Sequence, residues 1–183
     1  RRDFTINGLF YDLERGEIID YVGGVPDLQR RMVRTIGAPD VRFREDPVRI
    51  LRAIKFSARL DLGIDPEVYD AIVDHRGELE RAARPRLLEE IFRLLRGGAA
   101  HRSAYLMWDT GVLAELLPEM ASYLDDAAPG ADLTWHRLAA IDRRVKHDRL
   151  PNDPVLLASL LLGPIEEALE DERDTSRAFE KFF

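Results

Sequence analysis

The apolar residues of this chain change their spacing once, and that change limits the folds open to it. Up to residue 38 they fall in short extended runs broken by turn residues. Leu9-Phe10-Tyr11 and Ile18 to Val22 flank Glu14-Arg15-Gly16-Glu17, and together they predict a hairpin within 4–22. Gly23-Gly24-Val25-Pro26-Asp27 ends the hairpin, with Asp27 as the expected cap of a helical turn at Leu28 to Arg31, and Met32 to Ile36 is a further extended run. From Phe43 onward the spacing is helical. Helices are expected at 43–60, 66–75 with Asp65 as N-cap and Pro66 in the first turn, 85–95, 101–109, 111–117, 132–147, 153–162 and 164–182. The 127–130 stretch is the expected loop of the helical part. The fold class is therefore mainly α, with a small β-containing piece ahead of an all-α remainder. No internal repeat or low-complexity linker interrupts it.

Composition narrows the function classes. At 183 residues, 45% hydrophobic and 33% charged, the chain can bury a real core. It has no cysteine, which excludes a disulfide framework, a thiolate zinc site and a thiol nucleophile. Four histidines, at 75, 101, 136 and 147, show no metal-ligand spacing. Val155 to Leu162 is far short of the roughly 20 apolar residues of a membrane helix. Leu106, Met107 and Trp108 read as core, and the acidic run Glu166 to Asp174 as a solvated face.

The net charge of −7 argues at first against a polyanion ligand, but it is unevenly spread. Residues 1–60 carry +3 and residues 61–183 carry −10. A basic stretch on an acidic chain can mark an anion site or arise by chance. The helix at 44–60 sharpens the point. Ile50, Leu51, Ile54 and Ala58 share one face, while Arg49, Arg52 and Lys55, at i, i+3 and i+6, share the other. Such a spiral can follow a run of phosphates. Asp46 sits one turn before Arg49, so the two can hold each other and offer an acceptor beside a donor fork to a nucleobase edge. The plainer alternative is a solvated basic face with Glu45 and Asp46 as helix N-terminal anions. Arg1-Arg2-Asp3 can bind a phosphate together with a sugar hydroxyl or metal, or be an exposed charged end.

Three strings then carry a resemblance. Arg1-Arg2-Asp3-Phe4-Thr5-Ile6-Asn7-Gly8-Leu9 comes first, then Asp20-Tyr21-Val22-Gly23-Gly24 with Asp27-Leu28. Arg42-Phe43-Arg44-Glu45-Asp46-Pro47-Val48-Arg49-Ile50-Leu51-Arg52-Ala53 comes third. In order and spacing they resemble the class II CCA-adding enzyme and bacterial poly(A) polymerase family. Pro85-Arg86-Leu87-Leu88-Glu89-Glu90 looks like its next helical motif, and the match is dense over 1–120. The stretch from His147 to Pro154 looks more like the poly(A) branch.

The resemblance implies a cytoplasmic, template-independent RNA 3′-end nucleotidyltransferase, with ATP as substrate, Mg²⁺ as cofactor and an RNA 3′ end as partner. The alternatives are CCA or A addition to tRNA, and a non-catalytic helical RNA-binding module. It implies that 1–38 is the end of a polymerase-β-like head, 39–120 a helical neck and 121–183 a helical body. By position, Asp3 resembles the active-site aspartate and Arg2 its nucleotide-binding neighbour. Asp46 and Arg49 match the pair that reads the base, and Arg52 and Lys55 match the triphosphate-holding positions. Arg86 and Glu90 are expected to brace the nucleotide-binding helix. The family's Gly-Gly loop and Asp-x-Asp metal pair precede the Arg-Arg-Asp motif and are not in this sequence, where Asp125-Asp126 and Asp171-Glu172 follow no glycine loop. Since the chain also starts without Met, it is expected to be part of a longer protein that cannot transfer nucleotides alone, with Mg²⁺ held mainly by the absent segment.

Overall fold

In the computed structural model, which describes residues 2–125 and 130–172, the hairpin forms as the alternation predicts. Strand β1 (Phe10–Asp12) pairs antiparallel with β2 (Glu17–Ile19), Tyr11 facing Ile18. Asp12 closes the turn by accepting the Glu14 and Arg15 amides at 2.9 and 3.1 Å. The return strand stops at Ile19, short of Val22, because the next side chain captures the backbone. The Asp20 carboxylate accepts four amides, from Val22, Gly23, Gly24 and Val25, at 2.9–3.0 Å. Asp20 thus starts helix α1 (Gly24–Gln29), a role expected of Asp27. Asp27 is instead buried and accepts from the Thr5 hydroxyl at 2.6 Å and from Arg34 Nε at 3.0 Å. Gly24 is required here, since a Cβ would overlap the Thr5 carbonyl.

The expected extended run to Ile36 shortens to β3 (Met32–Val33). It pairs in parallel with β4 (Gly63–Ile64), which lies beyond the next two helices. Those are α2 (Pro39–Glu45) and α3 (Val48–Leu60), where one helix was expected. The break is at Asp46, extended at φ −151° and ψ 96°. The residue before a proline is disfavoured in the helical region, and here Pro47 ends the helix at Asp46. Helix α3 turns Val48, Ile50, Leu51, Ala53, Ile54, Ser57 and Ala58 inward, as the periodicity requires. Full burial of one such leucine or isoleucine is worth roughly 1.5–3 kcal/mol.

Helix α4 (Pro66–His75) begins as expected, with the Asp65 carboxylate accepting the Glu67 amide at 3.1 Å. After a 3₁₀ turn at Arg76–Arg81 come α5 (Arg84–Leu95), α6 (Ala100–Asp109) and α7 (Val112–Leu116). Helix α8 (Pro118–Asp125), which periodicity did not mark, starts on a proline. Helix α9 (Ala131–Lys146) follows, and then α10 (Asp153–Glu172). The last runs through Gly163-Pro164, where two helices were expected. A proline inside a helix costs about 3 kcal/mol, and burial of Leu156, Leu160, Leu161 and Ala168 offsets it. Arg1, Asp126, most of the 127–130 stretch and the end of the expected 164–182 helix lie outside the described residues.

One continuous apolar core runs from Phe4 through Leu51, Ile54, Leu95 and Met107 to Leu138 and Leu156. Met107 is fully buried as expected, while Leu106 and Trp108 are half-buried against the core. Among the described residues no helix is long and apolar enough to cross a membrane.

Candidate nucleotide-binding site

Asp3 is placed by the backbone on either side of it. Thr5 N–H donates to the Arg34 carbonyl at 2.9 Å and Ile36 N–H to the Asp3 carbonyl at 3.0 Å. Phe4 is fully buried and meets Phe56 edge-on at 5.5 Å. The Asp3 carboxylate is thereby fixed over the basic face of α3. Its Oδ1 accepts from Arg49 Nε at 2.9 Å and Arg42 Nη2 at 3.2 Å, and its Oδ2 from Arg52 Nη1 at 2.8 Å. Burial pushes the Asp3 carboxyl up, but hydrogen bonds and charge from Arg52 and Arg49 outweigh it and hold the group below the ordinary carboxylate range.

The basic face of α3 is therefore not a solvated one. The Arg49, Arg52 and Lys55 side chains are only 13, 31 and 17% exposed. A second carboxylate comes from α5. Glu90, buried at 3% exposure, accepts from Lys55 Nζ at 2.8 Å, Arg93 Nη1 at 2.8 Å and Arg52 Nε at 3.4 Å. Burial raises its carboxyl, and Lys55 with Arg52 and Arg93 more than reverses this, leaving it lowered. Burial likewise acts to lower Arg52, and its bonds to Asp3 and Glu90 hold its pKa above the ordinary guanidinium value. Arg52 and Lys55 are thus cations held in place, each with donor capacity to spare. In Arg49, Nη1 donates to the Arg42 carbonyl at 2.7 Å and to Glu45 at 3.0 Å, and Nη2 takes part in neither bond.

Asp46 and Arg49 do not hold each other as the helical wheel implied. The break before Pro47 takes Asp46 off the α3 helix, and both its oxygens accept from Arg86 Nη2 of α5, at 2.9 and 3.2 Å. Arg86 and Glu90 thus fasten α5 to this motif from two points. Between them opens a cleft of about 350 Å³, lined by Val48, Arg52, Pro85, Arg86, Glu89, Glu90 and Arg93. Arg2 is exposed beside Asp3.

Arg42 is a site residue to which the motif alone assigned no role. It is 3% exposed and donates to Asp3, to Glu45 at 2.6 Å and to the Arg2 carbonyl at 3.3 Å, so it ties the N-terminal segment to α2. Among the described residues its Nε is buried without a hydrogen-bond partner. Its position inside the quoted motif was the available signal. The described residues do not fit a Mg²⁺ ion. Both Asp3 oxygens are engaged by guanidinium groups, and among the described residues no three His, Asp or Glu side chains converge.

Two family models match the chain. The poly A polymerase head domain matches residues 1–34, and the family described as "Probable RNA and SrmB- binding site of polymerase A" matches 61–124. Poly(A) polymerase I of Salmonella typhimurium is 34% identical over 172 residues, covering 91% of this chain and 36% of the relative. The CCA-adding enzyme of Geobacillus stearothermophilus is 38% identical over 144 residues, covering 79% of this chain and 35% of the relative. The chain thus spans about a third of the length of the curated relatives it matches. A solved tRNA nucleotidyltransferase complexed with a primer tRNA and an incoming ATP analog superposes at TM-score 0.61 and 26% identity, over 98% of this chain and 62% of that one. With the first and third motifs gathered into one charged cluster, and with relatives on both branches, the chain belongs to the family of class II CCA-adding enzymes and bacterial poly(A) polymerases.

Proposed function

We propose that this chain is the nucleotide-selecting and RNA-holding part of a template-independent RNA 3′-end nucleotidyltransferase that adds AMP from ATP and releases pyrophosphate. The observation that carries this is the two-carboxylate bracing of the α3 cations, Asp3 on Arg49 and Arg52, and Glu90 on Arg52 and Lys55. Prefixed cations meet a triphosphate without first losing side-chain freedom. Arg52 and Lys55 hold the phosphates, Arg2 adds a cation at the rim, and Asp3 serves as the active-site carboxylate by positioning the arginines. Asp46 and Arg49 read the base. Adenine presents an amine donor beside a ring-nitrogen acceptor, which matches a carboxylate beside Arg49 Nη2. The amine takes the place on Asp46 that Arg86 now holds.

Residues 1–38 supply the head's contribution, 39–120 the neck and 121–183 the body. The Mg²⁺ of the reaction is assigned to no residue described here. The place of work is the cytoplasm, where RNA ends and ATP occur together.

The test is extension of a labelled RNA primer by the full-length protein with each nucleotide alone. Asp46→Ala and Arg49→Ala should each cost ATP addition about tenfold to a hundredfold, the range of one hydrogen bond to a charged group, and flatten the preference among nucleotides. Unchanged selectivity would overturn the base-reading role. Cytosine offers the same donor and acceptor order, so these residues serve CCA addition equally. The similarity to a CCA-adding enzyme keeps that reading as the alternative. A tRNA lacking its CCA end against a generic primer separates the two. Failure to add any nucleotide would favour a non-catalytic RNA-binding module.

A further inference from the structure

Four cations stand apart from every ion pair described so far. Arg143, Arg144 and Lys146 end α9, and Arg149 follows at its corner, all exposed. Among the described residues none of the four forms an ion pair, whereas Arg49 and Arg52 of α3, Arg86 and Arg93 of α5, Arg96 just past it and Arg102 of α6 each do. A helix C-terminus carries only about half a negative charge, so the macrodipole does not account for four cations in seven positions. They lie in the acidic part of the chain, residues 61–183, with net charge −10. Unmatched like charges repel one another, and a polyanion relieves that repulsion.

Their frame docks on the far end of the helix that lines the cleft. Asp148 adopts a left-handed turn at φ 55°, and Arg149 N–H donates back to the Arg144 carbonyl at 2.9 Å, folding Arg149 against the α9 end. The same end docks on the α5–α6 corner. Asp142 accepts the Ala100 and His101 amides, at 2.6 and 3.1 Å, Gly98 lies against Val145, and Arg96 pairs with Asp153. Helix α5 thus has the cleft along Arg86, Glu89 and Arg93 and the cation cluster beyond Arg96. From Arg86 to Arg96 is about 15 Å at 1.5 Å per residue. At about 3.4 Å per phosphate of a stacked strand, that is on the order of four nucleotides.

We infer that Arg143, Arg144, Lys146 and Arg149 form a phosphate-binding anchor for the RNA strand roughly four nucleotides and more upstream of its 3′ end, reached along α5. The inference rests on the proposed reading of the cleft. The anchor reads charge and not sequence.

The experiment compares the full-length protein with its Arg143→Gln, Arg144→Gln, Lys146→Gln, Arg149→Gln form. Binding of a twenty-nucleotide and a four-nucleotide RNA is followed by fluorescence anisotropy across salt, and extension of both with ATP is followed in parallel. With four fewer phosphates neutralised, the salt slope for the long RNA should fall by about 2.8. The affinity gap between the two proteins should then narrow roughly fiftyfold between 50 and 200 mM salt. Extension of the short RNA and the melting temperature should stay unchanged. An unchanged salt slope on the long RNA overturns the anchor. So does an equal loss on both RNAs, which would place the effect at the nucleotide site. Should the unsubstituted protein extend no RNA, the reading of the cleft fails instead, and with it the premise of the anchor.

Discussion

Asp3 gathers three guanidinium groups on one carboxylate, and Glu90 gathers two more cations together with a share of Arg52. With side chains 15% and 4% exposed, both are too enclosed for water to replace what they supply. Removing either charge leaves half-buried cations facing one another, the situation that makes broken buried pairs expensive. Glu90→Gln should cost about 3 kcal/mol and Asp3→Asn about 2 kcal/mol in urea unfolding, whereas Arg93→Ala, which removes a half-exposed side chain and leaves Glu90 its bonds to Lys55 and Arg52, should cost under about 1 kcal/mol. Equal effects for all three would show that enclosure does not set the strength of these pairs. The identities of Asp3, Arg49, Arg52 and Lys55 were legible from the motifs. The resemblance also offered Glu90 as a brace of this helix, but which cations each carboxylate holds was not legible. Lys55 and Glu90 are 35 positions apart, and no local rule pairs them.

At the level of elements, Pro47 decides where Asp46 points. The pre-proline restriction splits one amphipathic stretch into α2 and α3 and sends Asp46 to Arg86 in place of Arg49. That signal was present in the sequence and was outweighed by the clean periodicity on either side. Pro47→Ala should let the helices join, with stability changing by less than about 1 kcal/mol because Pro47 sits at a helix start. Discrimination of ATP from GTP and UTP by the full-length protein should fall severalfold. Retained discrimination would show that the break is not what aims Asp46. Pro164 is the contrary case, where a similar local signal was read as a break and buried leucines carry α10 straight through it.

For the whole molecule, the clamp that Asp3 and Glu90 form between the N-terminal segment, α3 and α5 gives stability a pH dependence of definite sign. Both carboxyls are lowered on folding, as is Asp20 through its four backbone amides, that of Val25 first. Their contribution is complete above the unfolded values of about 3.9 and 4.3, and it is lost as pH falls through the folded values. Urea midpoints should hold from pH 7 to about 5 and drop below about 4. The difference between the protein and Glu90→Gln should shrink over the same acid range; a difference constant down to pH 2 would exclude Glu90 as a source. The sequence by itself determined the class of fold, the inward face of α3 and the Asp65 cap. Each of these depends on spacings within one or two turns of chain, where geometry is set by covalent structure. Only the tertiary structure decided that β3 pairs with β4, that Asp20 and not Asp27 starts α1, and that Asp46 answers to Arg86. It also decided that the basic face of α3 is enclosed by carboxylates from both sides. Those outcomes depend on which distant segments share a dry contact, and a charge chooses its partner by distance and burial in space, not by position along the chain.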